Sequence, residues 1–132
     1  MKKIVLDTDI LIDNIYGFTP WVKIFLQSED VKLVTPTIVI AEYLNDKKAE
    51  TELGEKESKK YLSWFQTQDL NEEIAYILGM ILRRKMYVSG AGLADLIIAS
   101  TAIYLDAELA TRNKVDFSKI PNLRFFDPKN LN

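Results

Sequence analysis

The chain has 132 residues, 17 basic and 19 acidic, with a formal net charge of −2 and 48% hydrophobic content, which suits one globular domain. It has no histidine and no cysteine, which excludes His general-base catalysis, Cys nucleophiles and the usual zinc sites. Any metal must then be held by oxygen ligands, which favours magnesium or manganese, and any nucleic acid must be met by local basic patches rather than by overall charge.

From the N-terminus, Lys2-Lys3 leads into Ile4-Val5-Leu6, an apolar run with the character of a buried, parallel strand. It is too short for a signal-peptide core, and no apolar run in the chain approaches the ~18 residues of a membrane span, so the cytosol is the expected compartment. Asp7-Thr8-Asp9 ends the strand. Ile10, Leu11, Ile12 and Ile15 then predict a helix closed near Gly17. Asp7 therefore stands at the carboxyl end of a first strand, where open α/β sheets place their ligands; simple capping of the helix by Asp7 or Thr8 is the lesser alternative.

Pro20 to Leu26 predicts a short amphipathic helix with proline in its first turn, and Val31 to Val34 a second strand. Thr35-Pro36 has the form of a helix start, and the helix runs through Ile38, Val39, Ile40, Ala41 and Tyr43 to Leu44. Glu42 is the one acid in this apolar stretch, where a solvated glutamate is the ordinary alternative.

Asp46 to Lys60 is densely charged and reads as a solvated helix pair or loop. Asp69 to Val88 predicts a long helix with Asn71 as its cap and Ile74, Ile77, Leu78, Ile81 and Leu82 at helical spacing; Arg83-Arg84-Lys85 complement its dipole. Gly90 and Gly92 mark the turn into Leu93 to Leu105, whose only charge is Asp95. That segment predicts a buried helix with a carboxylate in its first turn. The carboxylate needs compensation by the helix N-terminus, a basic side chain or a cation.

Ala107 to Thr111 and Pro121 to Phe126 predict two further short strands, around a polar loop closed by Phe117. Alternating strands and helices predict one domain over residues 1–132 with a mostly parallel sheet. Asp7, Glu42, Asp95 and Asp116 each sit beside apolar sequence. If the helices pack at the carboxyl edge of the sheet, these acids meet, and such a cluster makes physical sense as a magnesium site.

Four segments carry a family resemblance: Ile4-Val5-Leu6-Asp7-Thr8, Thr35 to Glu42, Gly92 to Ala99, and Leu109 to Phe117. In order and spacing they resemble a PIN domain of the VapC-type toxins of toxin–antitoxin pairs. The resemblance implies a three-layer α/β/α domain and a Mg2+- or Mn2+-dependent endoribonuclease in which Asp7, Glu42 and Asp95 bind metal. It places Asn113 and Asp116 at the fourth polar position, where many relatives carry an acid in place of Asn113. It matches Thr8 and Thr111 to supporting hydroxyls, and Asp9 to a position where relatives often have a small polar residue. It also implies RNA as substrate and a cognate antitoxin as partner.

The aromatic content of Trp21, Phe25, Tyr61, Trp64 and Phe65 predicts an apolar surface for that partner and for a homodimer. Three other readings compete. A haloacid-dehalogenase-type phosphatase also begins with Asp-x-Asp, but expects Thr or Val where this chain has Leu11. A catalytically inactive PIN-fold binding module and a structural cation site are the other two.

Overall fold

The computed structural model describes residues 1–131. Four strands, β1 (Lys2–Leu6), β2 (Val31–Pro36), β3 (Gln66–Gln68) and β4 (Glu108–Ala110), form one sheet in the order β3-β2-β1-β4, with every pairing parallel. Six helices flank it: α1 (Thr8–Ile15), α2 (Pro20–Leu26), α3 (Thr37–Leu44), α4 (Glu52–Leu62), α5 (Glu72–Arg83) and α6 (Leu93–Tyr104). The result is a three-layer α/β/α domain. A parallel sheet covered on both faces needs strands that are apolar on both sides, and Ile4, Val5 and Leu6 of β1 are fully buried.

The strand order has a functional consequence. The chain leaves β1 for β2 on one side and returns as β4 on the other. The carboxyl ends of β1 and β4 therefore border a topological switch point, the place where open α/β sheets leave a crevice for ligands. Asp7 follows β1 and its N–H donates to the Ala110 carbonyl (3.0 Å), which carries the β1–β4 ladder right up to that crevice.

Several boundaries differ from the sequence reading, each for a local reason. The expected helix start at Thr35-Pro36 moves one residue on. Both residues belong to β2, and the buried Thr35 hydroxyl donates to the Gln66 carbonyl of β3 rather than capping α3. The long helix expected to reach Val88 ends at Arg83. Lys85 takes a left-handed conformation (φ 51°), and Lys85 N–H and Met86 N–H close back on Leu82 and Ile81, a Schellman end. Asp106 and Ala107 end α6 in the same way and feed β4 without a loop. Asn71 caps α5 as expected, accepting from Ile74 N–H at 2.9 Å.

The strand expected over Pro121 to Phe126 reduces to one parallel bridge between Leu109 and Phe125. The aromatic residues expected at the surface divide. Trp21, Tyr61 and Phe65 are buried and Phe25 packs against the core, with Trp21 and Phe126 rings 4.6 Å apart. Only Trp64, at 57% exposure, stays in solvent. Trp21 and Phe25 on α2 and Tyr61 on α4 are turned inward by their helices, and Phe65 follows α4 into the core.

Candidate functional site

The site is built from the ends of β1 and β4 and from three helices. Asp7 is the N-cap of α1, so its Oδ1 accepts from Thr8 N–H at 2.7 Å. Its Oδ2 accepts from the Thr111 hydroxyl, which follows β4, also at 2.7 Å. The side chain is only 6% exposed. Burial, then the neighbouring Asp9 carboxylate, outweigh these two hydrogen bonds and push the Asp7 carboxyl up to about 6; Asp95 adds to the shift through its own charge. Asp7 and Asp95 thus share one electrostatic environment.

Glu42, in the last turn of α3, projects to solvent, and Thr8 connects it to Asp7: the Thr8 hydroxyl donates to Glu42 Oε1 at 2.7 Å. Asp95, the third residue of α6, reaches back to accept from Gly92 N–H at 3.2 Å, half of a capping box. Ordinary capping is therefore one role of Asp95, alongside its effect on Asp7.

The fourth polar position is looser. Asn113 contributes through its backbone, donating N–H to Thr111 Oγ1 (3.0 Å), while its side chain is exposed. Asp116 lies in the short 3₁₀ turn Lys114–Phe117, with Oδ1 facing Gly90. That glycine stands in the loop that leads into α6. The structure thus joins Asp7, Thr8, Glu42 and Thr111 by hydrogen bonds and sets Asp95 in their field. It leaves Asn113 and Asp116 on the adjoining loop without a side-chain bond to the group.

Among the described residues, no three acids converge tightly enough to form a ready-made metal cluster. The donor chemistry still fits a hard divalent cation. All the groups are oxygen donors, as magnesium and manganese require. Within the described residues, Asp7, Glu42, Asp95 and Asp116 have no lysine or arginine ion-pair partner, so their charge is left for a mobile cation to balance.

A second arrangement was not read from the sequence. Asp9 Oδ2 accepts from the Arg112 N–H at 3.0 Å, and Asp13, one turn on, pairs with Arg112 Nε at 2.7 Å. The i,i+4 spacing of the two acids puts them on one face of α1 but does not point to Arg112 as their partner. Asp9 Oδ1 is buried without a hydrogen-bond partner, and burial raises the Asp9 carboxyl above its ordinary range.

Asp9 is thus committed to holding the β4 loop, which fixes what its removal should do. Asp9→Asn keeps an acceptor for Arg112 N–H and retains at least about a tenth of wild-type turnover, a barrier change under about 1.4 kcal/mol. A steady-state assay checks this. A phosphatase using Asp7 as nucleophile and Asp9 as its acid would instead be inactive.

The PIN domain family matches residues 4–123 of the chain. Among solved structures, a toxin–antitoxin complex from Klebsiella pneumoniae is 28% identical, with 91% of this chain and 94% of that one covered and a TM-score of 0.68. VapBC-1 from nontypeable Haemophilus influenzae is 22% identical, covering 95% and 97%, with a TM-score of 0.74. FitAcB from Neisseria gonorrhoeae is 24% identical, covering 97% and 99%, with a TM-score of 0.69. No curated protein matches.

Proposed function

This chain belongs to the PIN domain family, and we propose that within it the protein is a Mg2+- or Mn2+-dependent endoribonuclease, the toxin of a toxin–antitoxin pair. The observation that carries the reading is the buried Asp7 at the switch point. It is tied by Thr111, coupled through Thr8 to Glu42 and through its field to Asp95, with no basic side chain paired to the set among the described residues. The metal, when bound, would activate water and offset charge on the phosphate.

Asp7, Glu42 and Asp95 would hold it, with Asp116 or Asn113 completing the set from the adjoining loop. Thr111 and the Thr8 N–H fix both oxygens of Asp7, so the carboxylate meets the ion in one orientation. The Thr8 hydroxyl does the same for one oxygen of Glu42. Hydrogen bonds of this kind orient ligands and sharpen metal affinity.

The partners follow the same reading. Structures described as toxin–antitoxin or VapBC complexes share this fold, which supports a cognate antitoxin here. Exposed apolar side chains on α5 and at the start of α6, Tyr76, Leu82 and Leu93, support a homodimer. No described helix is long and apolar enough to cross a membrane; a cytoplasmic location is the one such a toxin would need to reach RNA.

Metal removal is the direct test. Wild-type protein stripped with excess chelator should lose cleavage of a single-stranded RNA, and added Mn2+ or Mg2+ should restore it. Undiminished cleavage in chelator would sink the metal-dependent reading. Absence of cleavage in either metal would sink the nuclease.

A further inference from the structure

A cavity of about 450 Å³ shares Thr111 with the Asp7 site. Thr111, whose hydroxyl holds the Asp7 carboxylate, is part of its wall. Its floor is apolar, from Ile10, Trp21 and Phe126, and its rim carries Phe18, Arg112 and Lys114. The size falls in the range of small-ligand sites.

The rim is chemically specific. Phe18 is 74% exposed, a costly placement for a phenyl ring, and Tyr16 stacks behind it with centroids 6.3 Å apart. Asp13, which also lines the cavity, grips Arg112 at Nε; the pair is neutral, and the two terminal guanidinium nitrogens have no partner among the described residues. Lys114 forms no ion pair there either; its ammonium lies 5.8 Å from the Phe125 ring centroid. A protein of net charge −2 thus sets one unpaired ammonium, two unpartnered guanidinium nitrogens of an Asp13-paired arginine and an exposed ring around an apolar pocket, one residue removed from Asp7 through Thr111.

An occupant must pair a flat apolar face with negative charge. An unstacked nucleotide does so: the base lies on an aromatic ring, and the flanking phosphates meet arginine and lysine. We propose that this cavity takes one unstacked base of a single-stranded RNA beside the phosphate to be cut. Phe18 is the stacking face, and Arg112 and Lys114 hold the adjoining phosphates. The proposal rests on the nuclease reading and deepens it, because it names the form of RNA that the site accepts.

The probe is a short, fluorescently labelled, unstructured RNA of mixed sequence. Binding is read by anisotropy in chelator and cleavage is followed in Mn2+. Phe18→Ala should weaken binding about tenfold, within the range for loss of one stacked base. Lys114→Gln should weaken it severalfold and make the salt dependence shallower by about one phosphate contact. In cleavage both variants should raise KM and change kcat less than about twofold. Both side chains are exposed, so unchanged melting curves separate lost contacts from lost folding.

Wild-type affinity and KM in both variants, with the wild type still cutting RNA, overturn the base site and leave the nuclease standing. Variant-sensitive binding without cleavage in Mn2+ supports the base site and removes the nuclease. A wild type that neither binds nor cuts RNA overturns both. Loss of co-purification with the product of the adjacent reading frame, with RNA affinity kept, gives the cavity to a protein side chain and overturns the inference.

Discussion

Replacing Asp7 by Asn raises the melting temperature of the metal-free protein at neutral pH while removing RNA cleavage. Both effects come from one carboxylate. Burial, with Asp9 and Asp95 nearby, raises the Asp7 carboxyl from 3.8 to about 6. A raised carboxyl binds its proton more tightly in the folded state than in the unfolded one. Its contribution is therefore fully present below about pH 3.8 and is lost as pH rises through about 6.

At neutral pH the ionised group burdens the fold by up to about 3 kcal/mol, since a tenfold change in proton affinity corresponds to about 1.36 kcal/mol. Asn carries no charge and can still accept from Thr8 N–H. The variant should gain about 1–3 kcal/mol at neutral pH and converge with wild type near pH 4. Thermal denaturation in chelator at both pH values measures the difference, and the difference isolates Asp7 from other groups titrating in that range. Cleavage should fall at least about 100-fold, or about 2.7 kcal/mol of barrier. A variant no more stable than wild type at neutral pH would mean that Asp7 is not strained by its charge. A fully active one would remove it from the metal set.

The same residue shows why part of the site was legible. Asp7 ends an apolar strand, and a charge at that boundary is visible in a single sequence because strand ends are where α/β folds collect function. Asp95 was visible as the one charge in an apolar helix. Asp116 and Asn113 fell on the predicted loop, but no pattern could say that their side chains stay apart from the hydrogen-bonded group, since loop conformation is set by tertiary contacts.

The strand β3 was missed because Gln66-Thr67-Gln68 has no apolar side chain to reveal it. It exists only because an edge strand can pair its backbone with β2. Four of the five aromatic residues, all but Trp64, were misplaced for the complementary reason. Composition reports how much ring surface exists, whereas burial depends on helix orientation, and Tyr61 is drawn inward by a hydrogen bond from its hydroxyl to the Leu11 carbonyl at 2.9 Å. The Asp13–Arg112 pair joins residues 99 positions apart, 112 against 13, and no local window reaches that far.

Removing one hydroxyl should cost nearly as much activity as removing a ligand. Thr8 links the two acids from opposite ends. Its backbone N–H serves Asp7 Oδ1 and its hydroxyl serves Glu42 Oε1, both at 2.7 Å. Thr8→Val keeps the shape, the β-branch and the N–H, so Asp7 retains its bond. Glu42, which is exposed and on a different helix, loses the one side-chain donor that holds it toward Asp7 among the described residues. A freely rotating glutamate must be ordered each time the ion binds, and losing a supporting bond of this type costs about 10–100-fold in metal affinity or activity. Thr8→Val should therefore need more Mn2+ for half-maximal cleavage and show reduced turnover, with unchanged stability. Thr8→Ser, which restores the hydroxyl, should recover most of both. The Mn2+ dependence separates positioning from packing: a purely structural role would lower stability and leave the metal requirement where it was. Wild-type turnover and metal dependence in Thr8→Val would show that Glu42 needs no help from Thr8 to reach the ion.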